Sequence, residues 1–473
     1  MIVENFGGNV GFDATVLRPR NHQEVVGLLA EHRGRTIRAA GALHSWSSVC
    51  EGDVIVDLEA INQMELEPDD HGRMCVRVGG GRRINDVLQY LEQHGYILPS
   101  FGVIGTQTIA GAMATATHGS GRSSMAHYVA RVELAGYDPK TGDARIFELA
   151  SGTRLRAARC AVGYAGIVLT VWIPVEPMYL VSEECRWCTH LREVLPLARE
   201  HPRLQFYLVP GSWRWFVQLR KQVPAYVDQV PSLLAPLRRL AQLVLMDVLF
   251  NGAIRTITRT KPSPRLLGWL WRRVFTGLTR TAVSYTGRPR DVLMMRHDLY
   301  AHLEVELFVP EQHIEEAATF VEWILRRNGR KVGPVPEPLR KNKPFYVHLV
   351  PRLEQELPGL PPFVCDYLVT IRRVLPDDTL ISMTSGRLAH SWYAISLITY
   401  QADTAPFVEV VGFLARWLAR AFHARPHWGK HAPLDDLTLA WLYPKLPVFQ
   451  TVCRQTDPDG VFVNQFGREF MGM

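Results

Sequence analysis

Two segments dense in small residues, RAAGALHSWSS (Arg38–Ser48) and FGVIGTQTIAGAMATATHGSG (Phe101–Gly121), constrain the fold of this chain more than any other feature. Small residues leave the backbone bare, so N–H groups in such turns can close on an anion. Gly41, Ala42, Gly105, Gly111, Gly119 and Gly121 supply that freedom, and Ser45, Ser47, Thr106, Thr108 and Ser120 add hydroxyl donors. Either segment alone is only a tight turn; together they point to a loop cradle for a phosphate. The glycines do not fit G-x-G-x-x-G with an acid at the right distance, which excludes a Rossmann dinucleotide fold.

Around these loops the first 177 residues read as alternating strands and helices. Val25, Val26, Leu28 and Leu29 predict a helix over Asn21–His32, followed by a short strand, Thr36–Ala40, ending at Gly41. Strands are expected from Val54 and Met74. Ile84, Val87, Leu88 and Leu91 recur at helical spacing until Gly95.

At 473 residues the chain has length for two or three domains. Its start, MIVENFGGNV, shows no secretory pattern, and no apolar run approaches the roughly 18 residues of a spanning helix. Seven scattered cysteines suit a reducing compartment, and Cys185–Cys188 lacks a second pair of ligands, so no metal is expected. The net charge of +7 is concentrated: residues 231–275 hold eight Lys/Arg against one acid, Asp247. A broadly basic nucleic-acid binder is excluded by that localisation. The segment's runs LLAPLRRLAQLVLMDVLF and LLGWLWRRVF read either as an interfacial amphipathic helix or as a helical insertion covering a domain.

Beyond Met178 the chain grows rich in aromatics and arginine, as in an antiparallel sheet with covering helices. LEVELFVP (Leu303–Pro310) is a strand entering a helix over Glu311–Arg327. Its Glu304 and Glu306, two apart on one face, read as an acid–base pair or, more simply, as a solvated edge. Gly333–Pro362, dense in proline, reads as a connecting loop.

Three of these pieces, GALHSW, GTQTIAGAMATATHGSG and VGYAGIVLTVWIPVEP (Val162–Pro177), together resemble the flavin domain of the aldonolactone/alditol oxidases, the L-gulonolactone and D-arabinonolactone oxidase-like family of vanillyl-alcohol-oxidase-type flavoproteins. Downstream, VTIRRVLPDDTLIS (Val369–Ser382) resembles the family strand that carries Glu-x-Arg, and RPHWGK (Arg425–Lys430) its His-Trp-Gly/Ala-Lys. The ending DPDGVFVNQFGREF resembles the family's C-terminal segment, which returns to the flavin domain and reads as a complete chain.

The resemblance implies an α+β protein: a two-subdomain FAD-binding domain of the vanillyl-alcohol-oxidase (PCMH) type over 1–178, a substrate domain over 179–420 with the insertion near 231–275, and a C-terminal segment over 421–473. It implies FAD held by Gly41, Ala42, His44, Ser45, Thr106, Thr108, Gly111, Thr115, Thr117, His118, Gly119, Gly121, Gly166, Ile167 and Lys430, with His44 as the covalent tether. Hydride would pass from a CH–OH carbon of an aldonolactone or alditol to flavin N5, with oxygen or another acceptor reoxidising the flavin. Arg372 and Lys430 take catalytic positions, and the base is left open among His427, Glu306 and Lys430. Thr370 stands where relatives place the Glu that meets substrate hydroxyls, which loosens the sugar assignment. The expected partners are a sugar-derived small molecule and the electron acceptor, in the cytoplasm, with peripheral contact at the inner membrane face as an added expectation. Two alternatives accompany this reading: oxidation of a lipid-linked sugar at the membrane, and a flavin-holding or membrane-associated protein without turnover.

Overall fold

The computed structural model describes residues 1–473 except 225–242, 261–262, 281–283, 296–299, 328–332, 342–349, 387 and 432. Near its N-terminus, Thr15–Leu17, Val54–Asp57 and Ile37–Ala40 form a three-stranded parallel sheet in that order. The helix His22–Glu31 covers it, capped by the Asn21 side chain accepting from the Glu24 N–H. Val25, Leu29, Ile37, Val54 and Val56 form the seam between helix and sheet and extend it to Tyr137, Ile167 and Leu169. These last three lie on a five-stranded antiparallel sheet ordered Ala144–Leu149, Arg131–Tyr137, Ile167–Pro174, Met74–Gly79, Met64–Pro68. The expected helix is Ile84–Gln93, and Gly95, with φ +76°, takes the left-handed turn that ends it.

The first small-residue segment leaves the parallel sheet at the carboxyl end of Ile37–Ala40, where open parallel sheets present ligand sites. Arg38 anchors it. Buried in the strand, its guanidinium donates to the carbonyls of Val49 (3.0 Å), Phe462 (2.7 Å) and Val162 (2.5 Å) and stacks on Tyr164. The C-terminal residues are thereby tied to the first loop, and Asn464 reinforces this by donating to Ser48 and Glu51 carbonyls.

The second half is built on an eight-stranded antiparallel sheet ordered Tyr285–Gly287, Tyr179–Cys188, Arg214–Pro224, Gln205–Val209, Val369–Val374, Trp392–Thr399, Leu303–Pro310, Arg425–Pro426. One face packs on the helices Leu191–Glu200, Ile314–Leu325 and Ala405–Phe422, which bury Val194, Phe320 and Phe413. The other face is open to a cavity.

Two expectations are corrected here, and of the two readings of the basic segment the helical insertion is the one met. Glu304 and Glu306 are not on a solvated edge: Leu303–Pro310 runs between Trp392–Thr399 and Arg425–Pro426, every residue is buried, and Glu306 is 3% exposed. The proline-rich stretch is not simply a loop, since Glu337–Lys341 and Val350–Glu356 are helices with proline in the first turn, where its missing N–H costs nothing. The basic segment, whose residues 231–242 fall outside the described residues, is a folded helical insertion: Leu243–Phe250, Asn251–Thr260, Pro264–Trp269, Leu270–Phe275 and Thr276–Arg280. Phe250, Ile254, Leu267, Leu270, Trp271 and Phe275 build a core of their own against Val209, Phe216, Leu368 and Tyr400.

Candidate active site

A single cavity of about 1110 Å³ lies between the N-terminal loops and the open face of the eight-stranded sheet. On the loop side its wall includes Gly41, Ala42, His44, Ser45, Thr106, Thr108, Gly111, Thr115, Thr117, His118 and Gly166. Gly119, Gly121 and Ile167 stand behind that wall. Ile167 is core, Gly119 faces a smaller cavity, and Gly121 donates its N–H to the Arg373 carbonyl.

The two loops interlock. A side chain at Gly41 would collide with Thr108, so bare backbone is needed where the two loops meet. Each segment also holds one non-glycine residue in the left-handed region, Leu43 at φ +53° and Ala116 at φ +54°, immediately before His44 and just before His118. The His44 ring stacks on Phe6 at 4.6 Å, with Nδ1 3.1 Å from the Ala42 carbonyl.

The sheet side is organised by strand register. Period-two alternation puts Glu306, Ser396, Thr370, Tyr207 and Phe216 in one row across five strands, and Arg372, Gln205, Gln218 and Cys185 in the next. All nine line the cavity.

The chain from Arg425 to His431 runs beside Leu303–Pro310. His427 donates its N–H to the Glu306 carbonyl (2.9 Å) and His431 to that of Glu304 (3.2 Å). This pinning delivers Lys430 Nζ to the Glu304 carboxylate, which also accepts from Ser396, and places the ammonium 4.1 Å from the centre of the Trp46 ring. Lys430 is thus a fixed cation in the cavity wall. Beside it lies a carboxylate between two imidazoles. Glu306 Oε1 is 3.4 Å from His118 Nε2, yet neither it nor any other described group is aligned to hydrogen-bond that oxygen. Burial pushes the Glu306 carboxyl up, but His118 and the Lys430 ammonium outweigh it and hold the group well below the usual carboxylate range. His427 goes the other way from an ordinary histidine: burial pushes it down to about 3, and its Nδ1 accepts from the Gly429 N–H (3.0 Å), so it is neutral. Of the three proton acceptors left open by the sequence, Lys430 is engaged as a cation, and Glu306 and His427, both held as weak bases, form with His118 one buried cluster beside it.

The four expected catalytic groups, Arg372, Lys430, His427 and Glu306, share this cavity with His44. Several neighbours were not among them: Glu304, Ser396 and Trp46, which fix Lys430, and the polar network Gln205–Tyr207–Gln218–Arg220–Glu183 on the sheet. The alternating Gln/Tyr and Gln/Arg of Gln205–Val209 and Arg214–Pro224 are the sequence signal of that network.

The same architecture is found in known proteins. Residues 14–138 match the family model described as FAD binding domain, and residues 186–470 that described as D-arabinono-1,4-lactone oxidase. The chain is 40% identical to a long-chain alcohol oxidase of an uncultured marine euryarchaeote, over 98% of this chain and 95% of that protein. It is 27% identical to an alditol oxidase of a Streptomyces species, with 99% of each covered. Cholesterol oxidase from B. sterolicum superposes with a TM-score of 0.74 over 98% of this chain and 96% of that one, at 17% identity, a likeness of fold. These likenesses favour neither the lipid-linked-sugar reading nor the reading without turnover. Among the described residues no helix is long and apolar enough to cross a membrane.

Proposed function

Because the chain belongs to the D-arabinono-1,4-lactone oxidase family and is an FAD-dependent oxidoreductase of CH–OH donors, we propose that it oxidises a sugar-derived carbinol in the cavity described above, with domains divided at residues 178 and 420. The observation that carries this is the union, in one cavity, of the two small-residue loops and the Glu306–Lys430–Arg372 face. The residues fit the cofactor: the cavity has room for FAD and a substrate, its loop wall is bare backbone and hydroxyls, and a buried cation faces them. His44, Ser45 and the 106–118 loop would hold FAD, with the His44 imidazole as covalent tether.

When bound, FAD supplies the hydride acceptor and passes the electrons on to oxygen or another acceptor. The Glu306–His427 cluster takes the hydroxyl proton as the carbinol becomes a carbonyl. Arg372 would hold the substrate oxygen, and Lys430 would offset the negative charge that hydride transfer delivers to bound FAD. Acid precipitation of the purified protein tests the tether: colour should stay in the pellet, and His44→Ala should release it to the supernatant. A wild-type pellet that is colourless overturns the covalent assignment.

A second reading of the substrate is favoured by one feature of the cavity. Its end under the insertion is lined by Phe216, Phe275, Leu278, Leu368, Ile398 and Tyr400, which suits an aliphatic chain, and the 40% identical relative is named for long-chain alcohols. Exposed Leu249, Leu266 and Trp269 beside Arg265, Arg272 and Arg273 support peripheral membrane contact in the same reading. Comparing rates on alditols, aldonolactones and long-chain primary alcohols separates the two.

A further inference from the structure

Behind Arg372 lies a second, smaller cavity of about 20 Å³, room for one guest the size of a water or a halide. Its polar side chains are four arginines, Arg122, Arg203, Arg220 and Arg372, with Ser100, Gln205 and Ser120, whose hydroxyl donates to the Leu204 carbonyl, and no carboxylate lines it. Two of the four are neutralised from outside: Arg122 pairs with Glu176 at 3.0 Å, and Arg220 with Glu183 at 2.8 Å while also donating to Gln205 and Gln218. The other two are not. Arg203 Nη2, Arg372 Nε and Ser100 Oγ are all buried and without a hydrogen-bond partner among the described residues. Arg203 is 9% and Ser100 3% exposed, and Arg203's contact of note is the Tyr179 ring at 4.8 Å.

A guanidinium has donors and no acceptor, so the guest must accept. A buried positive charge without a counter-charge is costly; Arg203 is one, with no ion pair among the described residues, and half-buried Arg372 adds a second unpaired N–H. We infer that this cavity binds a monatomic anion, chloride being the chemical type, held by Arg203, Arg372 and Ser100, and that the anion positions Arg372 for the substrate cavity. Arg372 lines both cavities, which gives the anion its route to function. The positioning role rests on the reading of Arg372 above; the anion site itself does not.

The test uses the FAD-loaded protein prepared without halide. Crystals grown in bromide should show one anomalous peak between Arg203, Arg372 and Ser100, and Arg203→Gln should abolish it. At fixed ionic strength, chloride or bromide in place of methanesulfonate should lower KM about fivefold or more, with kcat within about twofold, and Arg203→Gln should lose this response. Ordered density without anomalous signal identifies water and overturns the site, as does a halide response that survives Arg203→Gln. Because diffraction needs no substrate, failure of the anion site is distinguishable from failure of the substrate assignment.

Discussion

Lys430 shows how one side chain acquires a role from its surroundings. Its ammonium is fixed by Glu304 from the neighbouring strand and by the face of Trp46 from the first loop. Replacing it with methionine keeps the packing volume, removes the cation and leaves Glu304 buried beside Ser396 and His302. Lys430→Met should therefore lower kcat by about 10²–10³-fold with flavin content unchanged, read by steady-state kinetics and the visible spectrum; a variant with wild-type kcat would remove the cation from the mechanism. His427 makes a prediction about pH. Its folded-state value of about 3 lies below the ordinary 6.5, so between these values the unfolded chain binds the proton and the folded one does not. Stability should fall as pH drops below 6.5. Glu306, depressed from its ordinary 4.5, adds to the loss only below that value. His427→Asn, which keeps an acceptor for the Gly429 N–H, should flatten the chemical-denaturation midpoint between pH 6.5 and 4.5; an unchanged slope there would assign the pH dependence elsewhere.

At the scale of elements, the parallel strand Ile37–Ala40 and the C-terminal segment are joined through Arg38. Arg38→Met strands three buried carbonyls, of Val49, Val162 and Phe462, and should cost about 3–5 kcal/mol, seen as a lowered denaturation midpoint together with weakened flavin retention. The strands and helices themselves were legible because their periodicity is local: Ile84, Val87, Leu88 and Leu91 repeat at helical spacing, and the observed helix Ile84–Gln93 buries all four. LEVELFVP was legible as a strand but not as a buried one. Alternating acids on a strand normally mean solvent, and the groups that reverse this, His118, Ser396, His427 and Lys430, come from elsewhere in the chain. Likewise the insertion's arginines and leucines fix an amphipathic helix but not its partner; only the tertiary contacts of Phe250, Trp271 and Phe275 show that its apolar side is largely spent on the sheet.

For the molecule as a whole, cofactor loops and reactive face belong to opposite halves of the chain and meet across one cavity, with the insertion closing its far end. The cofactor side could be read early because its loops depend on small residues, which leave a signature in sequence. The substrate side depends on strand register, which brings Thr370, Arg372 and Glu306 together only after the sheet has formed. The central claim, that a carbinol is oxidised by flavin in this cavity, is tested most directly by mixing the purified protein anaerobically with alditols, aldonolactones and long-chain primary alcohols and following the visible flavin band. At least one of these classes should bleach the band rapidly in the wild type and slowly in Lys430→Met. A protein without flavin colour, or a flavin that no carbinol bleaches, would contradict it.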